Sequence, residues 1–253
     1  MATIWLFVEG GESKPLKASP DDEKAIPGDG KNRFGNRNAT ASPLVMKIEE
    51  AFRTFLSKAE LSGYTLKVTP AGGRTSASNH FFAEVAQAEA NSDVKAYILL
   101  IDTEKPLKRL PLNSVGEIDY LQFVKEDPNL FTTGISNERW ETFSGKTAMS
   151  LCFMVVMMDT WILTDLDNIQ RFFSLADPPT LNDGGDDLEN LEKNPIEHLF
   201  RDWAKERRET TKTGGNFTKT DGYNLLQTTS AERARTLTQC ARLFSELERL
   251  SAL

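Results

Sequence analysis

The sequence predicts an α/β fold: a mostly parallel sheet flanked by helices, with a helical carboxyl-terminal portion. Three observations carry this. Short apolar runs at 3–8, 64–69, 95–101 and 150–158 read as strands. Segments with apolar residues at helical spacing separate the first three runs. The third run, Ala96-Tyr97-Ile98-Leu99-Leu100-Ile101, is apolar without alternation, as in a strand buried on both faces of a parallel sheet.

In chain order, the first strand runs into Glu9-Gly10-Gly11, a glycine turn. Residues 12–41 read as an inserted polar loop containing Pro15, Pro20, Pro27 and Gly28; a loop of this length is expected to be functional or mobile. Ser42-Pro43 predicts a helix cap followed by proline at the first helical position. Ile48, Phe52, Phe55 and Leu56 carry that helix to about Lys58. Past the second strand, Pro70-Ala71-Gly72-Gly73 predicts a turn, then a helix over 75–90 with Phe81, Phe82, Val85 and Ala88 on its apolar side. Between Lys105 and Thr147 the pattern is less regular, with a short helix over 119–124 and Trp140 as a loop anchor. The fourth strand leads into a single helix over 159–173, then a Pro/Gly/Asp loop over 177–187. Helices over 195–208, 221–227 and 230–250 finish the chain. The expected organisation is one α/β domain over 1–175 with a helical extension, 176–253, packed on it. Leu237, Leu243, Leu247 and Leu250 read as an exposed helix face that could pack on a partner.

Composition removes several functional classes. With 253 residues and 39% hydrophobic content there is enough apolar material for a core, which argues against a disordered chain. The net charge of −7 argues against a broadly basic nucleic-acid binder, though not against a nucleic-acid enzyme that uses metal ions locally. Two distant cysteines, Cys152 and Cys240, and two histidines, His80 and His198, leave no disulfide framework and no zinc-type ligand set. The apolar run 149–158 is about half a membrane span, and the amino terminus lacks a basic region before its apolar run. These features predict a soluble cytoplasmic protein that does not enter membranes.

Acidic residues gather where strands end. Glu9 ends the first strand, Asp102 and Glu104 the third, and Asp159 the fourth, with Asp165 close behind. In an open α/β sheet, ligands bind at the carboxyl ends of the strands. In extended chain, residues two apart point to the same side, so Asp102 and Glu104 are expected to reach one cation together. With Glu9 they form an oxygen-only set suited to Mg²⁺ or Mn²⁺. Gly10 and Gly11 would let a phosphate or metal approach the backbone. Taken singly, each acid is also what a solvated loop end contains, and Asp159 and Asp165 suit helix amino termini. Arg74, in its Gly-Gly-Arg turn, could clamp a phosphate.

Trp5-Leu6-Phe7-Val8-Glu9-Gly10-Gly11 and Ile101-Asp102-Thr103-Glu104 resemble the two acidic motifs of the Toprim fold. More narrowly, the chain resembles the bacterial DUF4276 family, which is Toprim-like and related to the Toprim nuclease domain of OLD-type proteins. Three further stretches carry the likeness: the 52–59 helix with Gly72-Gly73-Arg74, Met158-Asp159-Thr160-Trp161-Ile162-Leu163-Thr164-Asp165, and Lys219-x-x-Gly222-Tyr223-x-Leu225-Leu226. The resemblance implies a Mg²⁺-dependent nuclease acting on DNA or RNA. It further implies an effector of anti-phage defence working with an ABC-type ATPase, or an inactive Toprim-like subunit of such a complex. By the same resemblance Glu9 is a metal ligand or acid/base, and Asp102 and Glu104 are the metal-binding pair. Asp159 stands where the family has Glu, and Asp165 matches a family aspartate. Lys219 matches the position of a cation that would stabilise charge on the phosphate.

Other signals weigh little. Ser144-Gly145-Lys146-Thr147 lacks the first glycine of a phosphate loop, so ATP hydrolysis by this chain is not expected. The basic run from Arg201 to Lys219 is offset by Asp202, Glu206 and Glu209; with Lys31, Arg33 and Arg37 it is still the best candidate for a nucleic-acid backbone contact. Trp161 reads as packing, and Met154, Met157 and Met158 as strand filling.

Overall fold

A computed structural model describes residues 2–10, 42–58, 64–87, 93–127, 148–181, 187–211 and 215–252. The expectations for Gly11, the 12–41 loop, Ala88, Trp140 and Ser144 to Thr147 lie outside the described residues.

Four strands form one parallel sheet: β1 (Ala2–Val8), β2 (Tyr64–Pro70), β3 (Val94–Asp102) and β4 (Ala148–Met154), in the order β2-β1-β3-β4. Among the described residues the helices are α1 (Pro43–Leu56), α2 (Arg74–Val85), α3 (Tyr120–Glu126), α4 (Asp159–Ile162), α5 (Leu166–Phe173), α6 (Lys193–Thr211), α7 (Lys219–Thr228), α8 (Ala231–Ala234) and α9 (Thr238–Ser251). The protein is thus an α/β fold with a helical carboxyl-terminal portion, as the apolar runs and helical periods required.

Period-two alternation gives the sheet two buried faces. On one face Phe7 meets Phe81 of α2 edge-on, and Phe153 meets Phe123 of α3. On the other, Ser150 donates to Glu246 of α9, and Phe55 of α1 packs edge-on against Phe244 of α9. The central strand β3 is buried from Ala96 to Ile101, which is why its sequence does not alternate.

Four expectations are corrected. The fourth strand stops at Met154 rather than Met158, and Val156 then takes a left-handed backbone, φ 61°. The helix expected over 159–173 is two helices, because Asp165 caps a new one by accepting from Asn168 N. The helix expected over 230–250 is also two, α8 and α9, separated at 235–237. Nor is its leucine face exposed: Leu243, Leu247 and Leu250 are fully buried and Leu237 nearly so, in a helix that packs on β4. About 1.5–3 kcal/mol per buried leucine favours this intramolecular use. Trp161 is core, stacked on Phe55 at 5.6 Å. Cys152 and Cys240 are buried free thiols, and burial pushes Cys152 up to about 12.

Candidate functional site at the carboxyl edge of the sheet

The site begins with backbone. Gly10 and Gly72 exchange two hydrogen bonds, N to O at 2.8 and 3.0 Å, so the turns after β1 and β2 are tied together. Both glycines have positive φ, 148° and 80°. A β-carbon at Gly10 would also lie 3.1 Å from the Tyr223 hydroxyl, so glycine serves both the turn and the close approach of α7. The turns after β3 and β4 are tied likewise. Thr103 N donates to Met154 O and Glu104 N to Val156 O, both at 3.0 Å, and the Thr103 hydroxyl accepts from Val156 N at 2.8 Å. Glu104 and Val156 are both left-handed, φ 54° and 61°. For a β-branched valine this is a strained state, held here by the cross-bonding.

These turns line one cavity of about 460 Å³ with Glu9, Gly10, Asp102, Glu104, Asp159 and Lys219 among its walls. The sequence reading therefore brought together six of its nine site positions. Gly11 lies outside the described residues. The other two, Arg74 and Asp165, go elsewhere.

Asp165 is not a ligand candidate. It is buried, its oxygens accept from Asn168 N and Ser230 N, and Arg233 pairs with it at 2.9 Å. It caps α5 and anchors the start of α8. Arg74 is not a free phosphate clamp. Its side chain is only 9% exposed, and its guanidinium donates to Glu9 Oε2 at 3.3 Å, to the Asp102 carbonyl at 2.6 Å and to Asp127. It is the internal counter-cation of the acidic edge. Asp102 and Glu104 both line the pocket, but not by strand alternation: β3 ends at Asp102, and Glu104, two residues on, is left-handed and paired with Lys193 at 3.1 Å.

Asp102 is the focus of the electrostatics. Among the described residues its Oδ1 is sealed from solvent and has no hydrogen-bond partner. Burial, then Glu9 and Asp159, hold its carboxyl well above the usual carboxylate range. Burial also raises Glu9, opposed by Arg74 and by the Asp102 N–H, which donates to Glu9 Oε2 at 3.1 Å. Burial pushes Asp159 up to about 6. The Tyr223 hydroxyl is raised by burial and by Asp102 and Asp159, so it stays a neutral donor. For Lys193, burial disfavours the charge, but Glu104, Glu197 and Asp102 outweigh it and its pKa rises.

Among the described residues, no group of three or more His, Cys, Asp or Glu stands ready to hold a metal ion. The donor chemistry nevertheless fits a hard cation: carboxylate oxygens in one pocket, one of them buried without a partner. Asp102 and Asp159, with Glu9, would hold it.

Sequence reasoning missed Lys193 and Asp127, and gave Tyr223, quoted only as part of the Lys219 stretch, no role. Lys193 opens α6 and lines the pocket from 89 residues away from its partner Glu104. Tyr223 is brought in by the capping box of α7, Thr218 with Asp221, and by Gly222. A β-carbon at Gly222 would lie 3.3 Å from Met158 Cε and 3.4 Å from Asp159 Oδ1. Met157 and Met158, expected as strand filling, line the pocket instead. The basic face of α6 is largely self-compensated: Lys205 faces Glu209 at 3.9 Å, and Arg207 lies over Phe172 and Phe173. Lys31, Arg33, Arg37 and Lys212 lie outside the described residues.

Fold and pocket define a class: an α/β protein with an acidic, partly apolar pocket at the carboxyl edge of a parallel sheet. No family model matches the chain, and no curated protein or solved structure matches it either. Among the described residues, no helix is long and apolar enough to cross a membrane.

Proposed function

We propose that the protein is a Toprim-like, Mg²⁺- or Mn²⁺-dependent nuclease that hydrolyses phosphodiesters of DNA or RNA. The observation that carries this reading is Asp102 Oδ1, buried and unpartnered between two further carboxylates at the strand ends. A divalent cation there would polarise the phosphate and lower the pKa of a bound water. Asp102 and Asp159 supply the oxygens, and Arg74 orients Glu9 and opposes the upward shift that burial gives its carboxyl. Lys193 and Lys219 add positive charge to the pocket lining for the phosphate. Tyr223 adds a neutral hydroxyl donor to the pocket lining. The resemblance of the motifs further supports an effector role in anti-phage defence beside an ABC-type ATPase.

A second reading has its own observation. Arg74 and Lys193 already neutralise Glu9 and Glu104, so the edge can stand without a cation, as in an inactive interaction subunit. Calorimetry with Mn²⁺ on the parent and on Asp102→Ala separates the two. The nuclease reading expects binding that the substitution removes, and cleavage of DNA or RNA by the purified chain, alone or with the ATPase. Absence of both supports the inactive subunit.

A further inference from the structure

The pocket lining mixes two chemistries: carboxylates and lysines, and the apolar side chains of Phe217, Met157 and Met158, all only partly buried. The two meet at Gly222, where Met158 Cε, Asp159 Oδ1 and Phe217 Cζ lie 3.3, 3.4 and 3.6 Å from where a β-carbon would stand. Phe217 is held in place: it stacks on the buried Phe200 at 4.7 Å with 18° between the rings, and it lies just before the Thr218 cap of α7. An aromatic ring fixed in this way, with surface left over, is a ready platform that loses little freedom when a flat group stacks on it.

We propose that this pocket takes one unpaired nucleotide, its base against Phe217 and Met158 and its phosphate toward Lys193 and Lys219. The substrate is then a single strand, or a frayed or looped nucleotide, rather than an intact duplex. The inference rests on the nuclease reading and narrows it. A nucleotide joins a planar, weakly polar ring to an anion, which is the pairing of surfaces the pocket presents. The volume of about 460 Å³ falls in the small-ligand range, about 300–1,000 Å³. A base within a duplex is stacked and paired, and reaches a pocket wall only after extrusion. The described surface beside the pocket also lacks the continuous basic face a duplex needs, because α6 alternates Arg201, Lys205 and Arg208 with Asp202, Glu206 and Glu209.

The test uses the full chain with Ca²⁺ and a 12-nucleotide strand carrying 2-aminopurine, made as DNA and as RNA, against a blunt hairpin of the same sequence. Expected are quenched fluorescence and at least about tenfold tighter binding of the single strand in one or both chemistries. Phe217→Leu, which keeps an apolar contact with Phe200, is expected to lose about tenfold of that affinity, in the range of one base stacked on an aromatic ring. Mn²⁺ binding by calorimetry is expected to stay at the parent value in that variant, which shows the fold and acidic edge intact. Equal binding of hairpin and single strand, binding of neither, or an unchanged Phe217→Leu overturns the inference. A chain that binds the single strand through Phe217 but never cuts it overturns the nuclease reading instead.

Discussion

Arg74 Nε lies 3.3 Å from Glu9 Oε2, and the two side chains are only 9% and 15% exposed. The pair joins the first turn of α2 to the end of β1, and the same guanidinium reaches Asp127 after α3. Breaking a buried pair from one side leaves an uncompensated charge, which costs about 3–5 kcal/mol. Arg74→Met is therefore expected to lower urea-unfolding stability by about 3 kcal/mol, and Arg74→Met with Glu9→Gln to recover part of it. A single variant within 1 kcal/mol of the parent, on the order of experimental scatter in such extrapolations, would show that the pair carries no structural weight.

Asp102 behaves in the opposite sense. Its carboxylate is held in a site that disfavours charge, so Asp102→Asn removes a destabilising ionisation while keeping the shape. The thermal midpoint is expected to rise by a few degrees, as about 1 kcal/mol gives in a chain of this size. Mn²⁺ binding is expected to be lost in the same variant. A lower midpoint would mean that the buried oxygen has a partner that matters.

Asp159 gives a pH signature. Its folded pKa of about 6 lies above the ordinary 3.8 of the unfolded chain, so between these values the folded state binds more protons. Its contribution to stability is complete below about pH 4 and is lost as pH rises through about 6. The difference in unfolding free energy between parent and Asp159→Asn is expected to change by about 3 kcal/mol across that window, in favour of the variant at pH 7. Mn²⁺ affinity of the parent is expected to climb over the same window, since the cation competes with that proton. A pH-independent difference between parent and variant contradicts the assignment.

Asp165 tests the separation of scaffold from site. Asp165→Ala removes the cap of α5 and the acceptor for Ser230 N. A loss of about 1–2 kcal/mol is expected, with Mn²⁺ affinity unchanged within about twofold. A large loss of metal binding at unchanged stability would return Asp165 to the ligand set.

How much of this was legible follows from distance along the chain. Strands and first helices could be read because their signals are local: apolar runs, Ser42-Pro43, Gly72-Gly73. The acids at the strand ends could be read because fold class fixes where strand ends meet. The fate of Arg74 could not, since Asp127 lies 53 residues on and no local pattern marks it. Lys193 and Tyr223 enter through long-range packing for the same reason. The two helix breaks carried weak signals: Asp165 is a good cap, but Leu237 before α9 offers no side-chain cap, and no glycine or proline interrupts the apolar period at either break. The stripe Leu243, Leu247, Leu250 announced burial, but a stripe does not name what covers it.

That last helix has a consequence for synthesis. Strand β1 finds its partner β3 only after about ninety residues, and α9 closes the face over β4 near the far end of the chain. Pairings so remote in sequence form slowly. While the chain is emerging, the apolar faces of β1, β3 and β4 stand without their final cover. The face over β4 is therefore completed only when α9 folds back onto it.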